Sequence, residues 1–340
     1  MHHSITDGHS MIKICSFYVD LLNDVVQSKD SIHDQLGVLS NGEKTEWMLM
    51  EATDYLNDNP GLLDKIRDTV RSPHLPLILK LKPYYSPDDE EIKTLSISHR
   101  FDTETTEQLI RKCKTERVTV NSAFAAAINT ALILLAKDYY KADKVDASIF
   151  NDENNEADNK NGIYSYKIKG EHYVNIRRFW DGTNSDQLGC HLTVATLPIK
   201  TGTDVLSDFW GYARHVHAQL RENLKNKVPL LTEAALWKSE PDGLMMEDFV
   251  DNLEKPTCSY RMTNLGEVTK QFPEHTNPVQ ASYLSRSTSI HGKNTICMHG
   301  ISTFRDRLLY NLDFSTRFID QELAEQIVSK IIAVIATQKS

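Results

Sequence analysis

Residues 2–8 read His2-His3-Ser4-Ile5-Thr6-Asp7-Gly8, and this stretch decides what the remainder of the chain has to support. Two adjacent imidazoles, three spacers, a carboxylate and a glycine make a compact acid/base arrangement with a turn built in. A histidine, with an ordinary pKa of about 6.5, accepts a proton at neutral pH and returns it within one turnover, which makes it a natural general base. Asp7, four residues beyond His3, lies either one helical turn away or on a folded-back loop. There it fixes an imidazole tautomer or anchors the loop through a cation elsewhere. Gly8 is expected to supply backbone angles that a residue with a side chain would resist. From Ser10 onward Ile14, Phe17, Val19, Leu21 and Leu22 recur close to helical spacing, so the motif reads as a loop opening onto an amphipathic helix.

The composition around it is that of an ordinary globular chain. Its 340 residues, 40% hydrophobic and 25% charged, suffice for two globular units. The formal net charge of −9 and the lack of a basic stripe exclude a nucleic-acid binder, because phosphate neutralisation needs clustered Lys and Arg. The sequence shows no apolar run near the ~20 residues of a membrane span and no signal-peptide layout at its start, so a cytoplasmic protein is expected. Cys15, Cys113, Cys190, Cys258 and Cys297 are scattered and odd in number, with no CxxC pair. Reduced, mostly buried thiols are expected, with neither a disulfide framework nor a structural zinc.

Taken in order, Asp30 to Asn41 is polar and turn-rich, and Glu46 to Tyr55 with Asn57-Asp58-Asn59-Pro60 reads as a short helix closed by a proline turn. Arg71 to Pro83 is a proline-punctuated connection and the candidate domain boundary. Ile92 to Phe101 alternates like a half-buried strand. Asp102 or Thr103 can cap the following helix, whose polar face runs from Glu107 to Lys114. In Val118 to Ala136 the N-cap falls to Thr119, Asn121 or Ser122, and the alanines permit close packing of a core helix on a sheet. Asn151 to Gly162 reads as an exposed loop. Its many oxygen ligands raise the alternative of a calcium loop, but the central glycine and terminal glutamate are missing. Leu206 to Leu220 begins a long amphipathic helix whose His215 and His217 face different ways, as surface histidines do. Tyr260 to Val268 reads as a strand ended by an Asn-Leu-Gly turn, and His299 to Phe314 as a strand pair. Cys297 and His299 share a strand face, but no third and fourth ligand accompany them. Ile319 to Ile335 has helical periodicity, with Asp320 near its start.

HHSITDG resembles the HHxxxDG pattern of the chloramphenicol-acetyltransferase-like superfamily, which includes nonribosomal-peptide condensation domains, polyketide-associated acyltransferases, alcohol acetyltransferases and plant acyltransferases. Later segments resemble the same family in the same order. Val118-Thr-Val-Asn-Ser-Ala is similar to its "vTvnaal" helix, Tyr173-Val-Asn-Ile-Arg to its "vNlR" strand, Leu188-Gly to its "lGn" strand, and Thr263-Asn264-Leu265-Gly266 to its "sNlG" turn. The plant branch's DFGWG segment has no counterpart, which points to the condensation-domain or alcohol-acetyltransferase branch. Ser287-Thr288-Ser289 resembles the Ser-Thr-Ser triplet of carnitine acyltransferases, but only weakly.

The resemblance implies an α/β (α+β) fold, a two-lobed sandwich. Residues 1–85 would be the remainder of an N-terminal lobe carrying the motif, and 86–340 the C-terminal lobe. Relatives carry strands and helices before the two histidines where this sequence has only Met1, so the first lobe is expected to be incomplete and the chain N-terminally truncated. The implied activity is acyl transfer from a CoA or carrier-protein thioester to an alcohol or amine, without a bound cofactor, metal or covalent enzyme intermediate. His3 would be the general base, His2 and Gly8 would shape the loop, and Asp7 would pair with Arg177, with Arg178 as the competing partner. Thr263 or Asn264 would donate to the developing oxyanion. Two other readings stand beside this one. One is a catalytically inactive or truncated member acting as a binding protein, with unpaired edges and exposed apolar faces. The other is a metal hydrolase using the histidine pair, against which the divergence of adjacent side chains and the missing HExxH count.

Overall fold

In the computed structural model the described residues are 7–28, 43–71, 75–81, 92–150, 163–180, 187–239, 256–272, 276–290 and 294–339. His2, His3 and the expected loops at 30–41 and 151–162 lie outside them. Among the described residues, alternating apolar and polar positions build six strands: β1 (Thr94–Arg100), β2 (Ser165–Asn175), β3 (Leu192–Gly202), β4 (Tyr260–Glu267), β5 (Cys297–Phe304) and β6 (Arg307–Ser315). They pair into one sheet in the order β1-β6-β5-β4-β2-β3. The β2–β4 and β4–β5 ladders are parallel, and the other three are antiparallel. The architecture is a mixed α/β fold.

Register sorts the strand residues onto two faces. The row His172, Met262, His299, Leu312 and Ile97 faces α6 (Val120–Lys141) and α9 (Gln321–Gln338). Thr119 caps α6, accepting from the Ser122 N–H at 3.1 Å, and the Ala123–Ala127 run that follows is wholly buried. Contrary to the sequence expectation, α6 is long and apolar enough to cross a membrane; 78% of that window is buried within the protein. It is the core helix of this fold. The opposite row, Glu171, Arg261, Met298, Asp313 and Ser96, is largely polar.

The remaining helices are α1 (Gly8–Val26), α2 (Glu43–Asp58), α3 (Pro60–Arg71), α4 (Leu77–Leu81), α5 (Thr103–Thr115), α7 (Phe209–Lys225) and α8 (Val228–Ser239). Pro60 follows α2 and takes the first position of α3, where its missing N–H costs nothing. The stretch read as a plain connection contains α4, because Leu77, Ile78 and Leu81 bury themselves in the main core. Met48, Leu49, Leu56, Leu63 and Ile66 of α2 and α3 form a second cluster with Leu230, Leu231 and Ala234 of α8, closed by Ile176 and Trp180.

The stripe expected to anchor α1 is not the buried one. Ser10, Ile12, Ser16 and Asn23 are buried, whereas Ile14, Phe17, Val19, Leu21 and Leu22 are only half-buried. Polar bonds set this orientation. The Ser16 hydroxyl donates to the Gln271 carbonyl, and the Asn23 amide exchanges bonds with Val279, giving to its carbonyl at 2.9 Å and accepting from its N–H at 2.8 Å. His217 is also a correction: it is half-buried and bonds the Ser122 hydroxyl at 3.0 Å, while His215 is exposed. All five cysteines are free, with Cys113, Cys258 and Cys297 buried. Cys297 Sγ lies 3.8 Å from His299 Nε2, and no group of three metal-ligating side chains occurs among the described residues.

Candidate functional site

Asp7 stands in extended backbone, φ −104° and ψ 179°, at the N-cap of α1. One carboxylate oxygen accepts from the Ser10 N–H at 2.9 Å, closing the first turn. The other accepts from Arg177 Nη1 at 2.5 Å and from the His191 N–H at 3.0 Å. The side chains of the pair are 2% and 5% exposed. Burial pushes the Asp7 carboxyl up, but the Arg177 hydrogen bond, the Ser10 and His191 N–H groups and the guanidinium charge outweigh it and hold the pKa below the ordinary carboxylate range.

Arg177 sits in the single 3₁₀ turn Ile176–Phe179 that follows β2, one step beyond the strand on which the sequence pattern places it. Every arm of its guanidinium is occupied. Nε donates to the Gln187 carbonyl at 3.1 Å, Nη1 to Asp7 and to Asn175 Oδ1 at 3.2 Å, and Nη2 to Gln187, Ser10 Oγ and Gly189. The Trp180 ring covers it at 5.7 Å. Such saturation is what allows an ion pair to be buried without a large net penalty. Arg178, the competing candidate, is exposed and lies over Phe179.

The loop before β3 completes the clasp. Ser10 Oγ donates to the Gly189 carbonyl at 2.9 Å and accepts from the Gly189 N–H at 3.0 Å, and the Asp7 N–H donates to the same carbonyl at 3.2 Å. Gly189 has φ +148°, and a Cβ there would stand 2.6 Å from His191 Nε2. The His191 ring packs edge-on against Trp180 and bonds Thr45 of α2 through Nδ1 at 2.8 Å. Burial, and after it the Arg177 charge, lower its pKa, so the ring stays neutral against the guanidinium. Gly8 corrects an expectation. Its backbone is helical, and what glycine gives is close approach, because a Cβ would meet Leu265 Cδ2 at 2.6 Å and that side chain would have to shift.

Gly8 therefore lies against the end of β4. Thr263 Oγ1 accepts from Arg286 Nη1 at 3.2 Å and keeps its own O–H to give. Asn264 Oδ1 instead accepts from the Gly266 N–H at 2.7 Å, closing a turn in which Gly266 adopts φ +72°. The structure thus brings Asp7, Gly8, Arg177 and Thr263 to one region and commits Asn264 to a turn. Sequence reasoning passed over Ser10, Gly189, His191 and Arg286. Ser10 could have been found as the third residue after an aspartate N-cap, and Gly189 lies in the Leu188-Gly pair that resembles the family's strand, with His191 two residues on.

No family model matches the chain, and no curated protein does. Solved structures do match. The epimerization domain from the third module of tyrocidine synthetase B is similar at 13% identity and a TM-score of 0.60 over 100% of this chain and 68% of its own. Trichothecene 15-O-acetyltransferase from Fusarium sporotrichioides is similar at 12% identity and a TM-score of 0.60 over 98% of this chain and 64% of its own. The first condensation domain of the calcium-dependent antibiotic synthetase is similar at 14% identity and a TM-score of 0.57 over 100% of this chain and 63% of its own. The chain thus spans about two thirds of the length of each. The fold of this chain is the one shared by those condensation and epimerization domains and that O-acetyltransferase, the chloramphenicol-acetyltransferase-like fold.

Proposed function

We propose that the protein is an acyltransferase, moving an acyl group from a CoA or phosphopantetheinyl thioester to an alcohol or amine, with His3 as the general base. The observation that carries the reading is the buried Asp7–Arg177 pair. It fastens the residue four positions after His3 to the sheet, at the place where a sequence of two histidines, three spacers, aspartate and glycine needs an anchor, and it does so in a fold that includes an O-acetyltransferase. The proton inventory is simple. His3 takes the acceptor's O–H or N–H proton as the acceptor attacks the thioester carbonyl, the carbon–sulfur bond breaks, and the imidazolium returns the proton to the departing thiolate. Asp7 stays ionised and acts on loop geometry, while Thr263 offers its hydroxyl to the developing oxyanion. Five free thiols suit a reducing compartment, so we place the activity in the cytoplasm. Neighbours of this fold bear names of more than one reaction, epimerization among them, so the fold does not choose the chemistry. The test is thiol release from a panel of acyl-CoAs with small alcohols and amines. Release that vanishes in His3→Ala, at unchanged melting temperature, supports the proposal. A folded wild-type chain that releases no thiol with any pair, or a fully active His3→Ala, overturns it in favour of a binding role.

A further inference from the structure

Three arginines lie close to the motif and the polar sheet face, and two of them are neutralised. Arg177 is saturated by Asp7 and its surrounding acceptors. Arg261 on β4 pairs with Glu171 on β2 at 2.9 Å. Arg286, in the segment that crosses the polar face after β4, differs from both. It is half-buried, and among the described residues its one hydrogen bond is the 3.2 Å contact to Thr263 and no carboxylate lies within ion-pair distance of it. Asp313, the acid whose charge reaches it, accepts from other donors at both oxygens. Its Oδ1 accepts from the Ser96 and Ser287 hydroxyls and the Asn311 amide, and its Oδ2 from the Thr288 N–H at 2.7 Å. Asp313 thus pins the backbone immediately after Arg286 while leaving the guanidinium without a salt bridge. Burial lowers the Arg286 pKa, and the charges of Asp313 and Tyr173 only partly offset it. A desolvated guanidinium of this kind gains from any anion that reaches it.

Its position gives that anion a place. A Cβ on Gly8 would stand 3.6 Å from Arg286 Nη1, so this edge of the guanidinium lies beside Gly8. Arg286 also lines a small, open pocket with Ser98, Gly300 and Asn311 of the sheet and with Leu265 and Leu284. We propose that Arg286, oriented by Thr263 and by the Asp313 clamp on the following residues, is a specificity-determining residue that binds a carboxylate carried by the substrate beside the Asp7–Gly8 loop. This deepens the acyl-transfer reading by naming an acidic substrate, and rests on it for which molecule carries the acid.

The test reads binding alone. Hexanoate and its uncharged analogue hexanamide are titrated into the full chain at low salt, followed by ligand-observed NMR. Wild type binds hexanoate at least about tenfold more tightly than hexanamide, as expected for charge-assisted hydrogen bonds in a partly desolvated site. Arg286→Gln abolishes the preference, and Arg286→Lys keeps part of it, since a point charge replaces a two-pronged donor. Thr263→Val reduces the preference by freeing the guanidinium to reorient, and keeps the question decidable if Arg286→Gln fails to fold. The readout is binding and not turnover, so a failure of the acyl-transfer reading leaves this result untouched. Equal affinity for the two probes, binding of neither, or a preference that survives in Arg286→Gln overturns the proposal.

Discussion

Replacing Asp7 with Asn separates the charge of this residue from its capping role. Asparagine is as good an N-cap as aspartate, so the bond from the Ser10 N–H survives. At the other oxygen an NH₂ group is driven against two donors, Arg177 Nη1 and the His191 N–H. A guanidinium whose side chain is 2% exposed then lacks its carboxylate, and breaking a buried pair from one side costs about 3–5 kcal/mol. With an unfolding entropy of about 2.1 cal/mol/K per residue, the 340 residues give about 0.7 kcal/mol/K, so Asp7→Asn should melt about 4–7 °C below wild type at pH 7. Because the Arg177, Ser10 and His191 hydrogen bonds outweigh burial and leave the Asp7 pKa below 3.8 in the folded chain, its contribution is fully present above that value. It is lost as pH falls through the folded pKa, so the gap between wild type and variant should hold from pH 8 to 5 and close in acid. Adding Arg177→Met removes the stranded cation, and the double variant should recover at least about 2 kcal/mol relative to the sum of the single changes. Calorimetry across pH measures all of this. A variant within about 1 kcal/mol of wild type at pH 7, or strictly additive double-variant energies, would refute the view that this pair holds the motif loop.

His3→Ala should cost at least about 10²-fold in thioester turnover while leaving the melting curve in place, as measured by thiol release. Gly189→Ala puts a Cβ 2.6 Å from His191 Nε2 on backbone at φ +148°, and should destabilise the chain by about 1–3 kcal/mol in urea titration. His172 and His299 are buried beneath the sheet with pKa values lowered by burial to about 4 and about 3. Their neutral forms stabilise the fold above pH 6.5, and that stability declines as pH falls towards 3. His299→Gln should therefore flatten the acid limb of the stability profile, and an unchanged limb would show that the acid loss arises elsewhere.

Where local chemistry dictates structure, the sequence was readable. The strand in Ile92–Phe101, the Asp102 and Thr119 caps, and the last helix with Asp320 at its start all recur in the structure. Each depends on neighbours three or four residues away. Helix α4 was hidden because it is one short turn of leucine and isoleucine between prolines, held by the core it enters and not by its own periodicity. The facing of α1 was hidden for a related reason. Apolar counting favours Ile14 and Phe17, but the bonds of Ser16 and Asn23 to Gln271 and Val279 turn the helix another way, and their partners lie more than 250 residues distant.

The same division explains what could be read of the candidate site. The choice between Arg177 and Arg178 was open on residue type alone, since adjacent guanidiniums are chemically identical. What decides it is the 3₁₀ turn after β2, which sends Arg177 inward under Trp180 and Arg178 outward. Arg286 is the harder case. Nothing in Leu284-Ser285-Arg286-Ser287-Thr288 is periodic, and an isolated arginine among serines reads as solvated surface. It is half-buried and without an ion pair among the described residues, while Asp313 of β6 accepts from Ser287 and Thr288 and not from the guanidinium that bonds Thr263. Among the described residues this cation has no ion pair, and Asp313, the acid whose charge reaches it, holds the backbone that follows it in place. Pairing Arg286 with Asp313 would have released the segment, whereas the observed arrangement fixes the segment and leaves the charge free for a ligand.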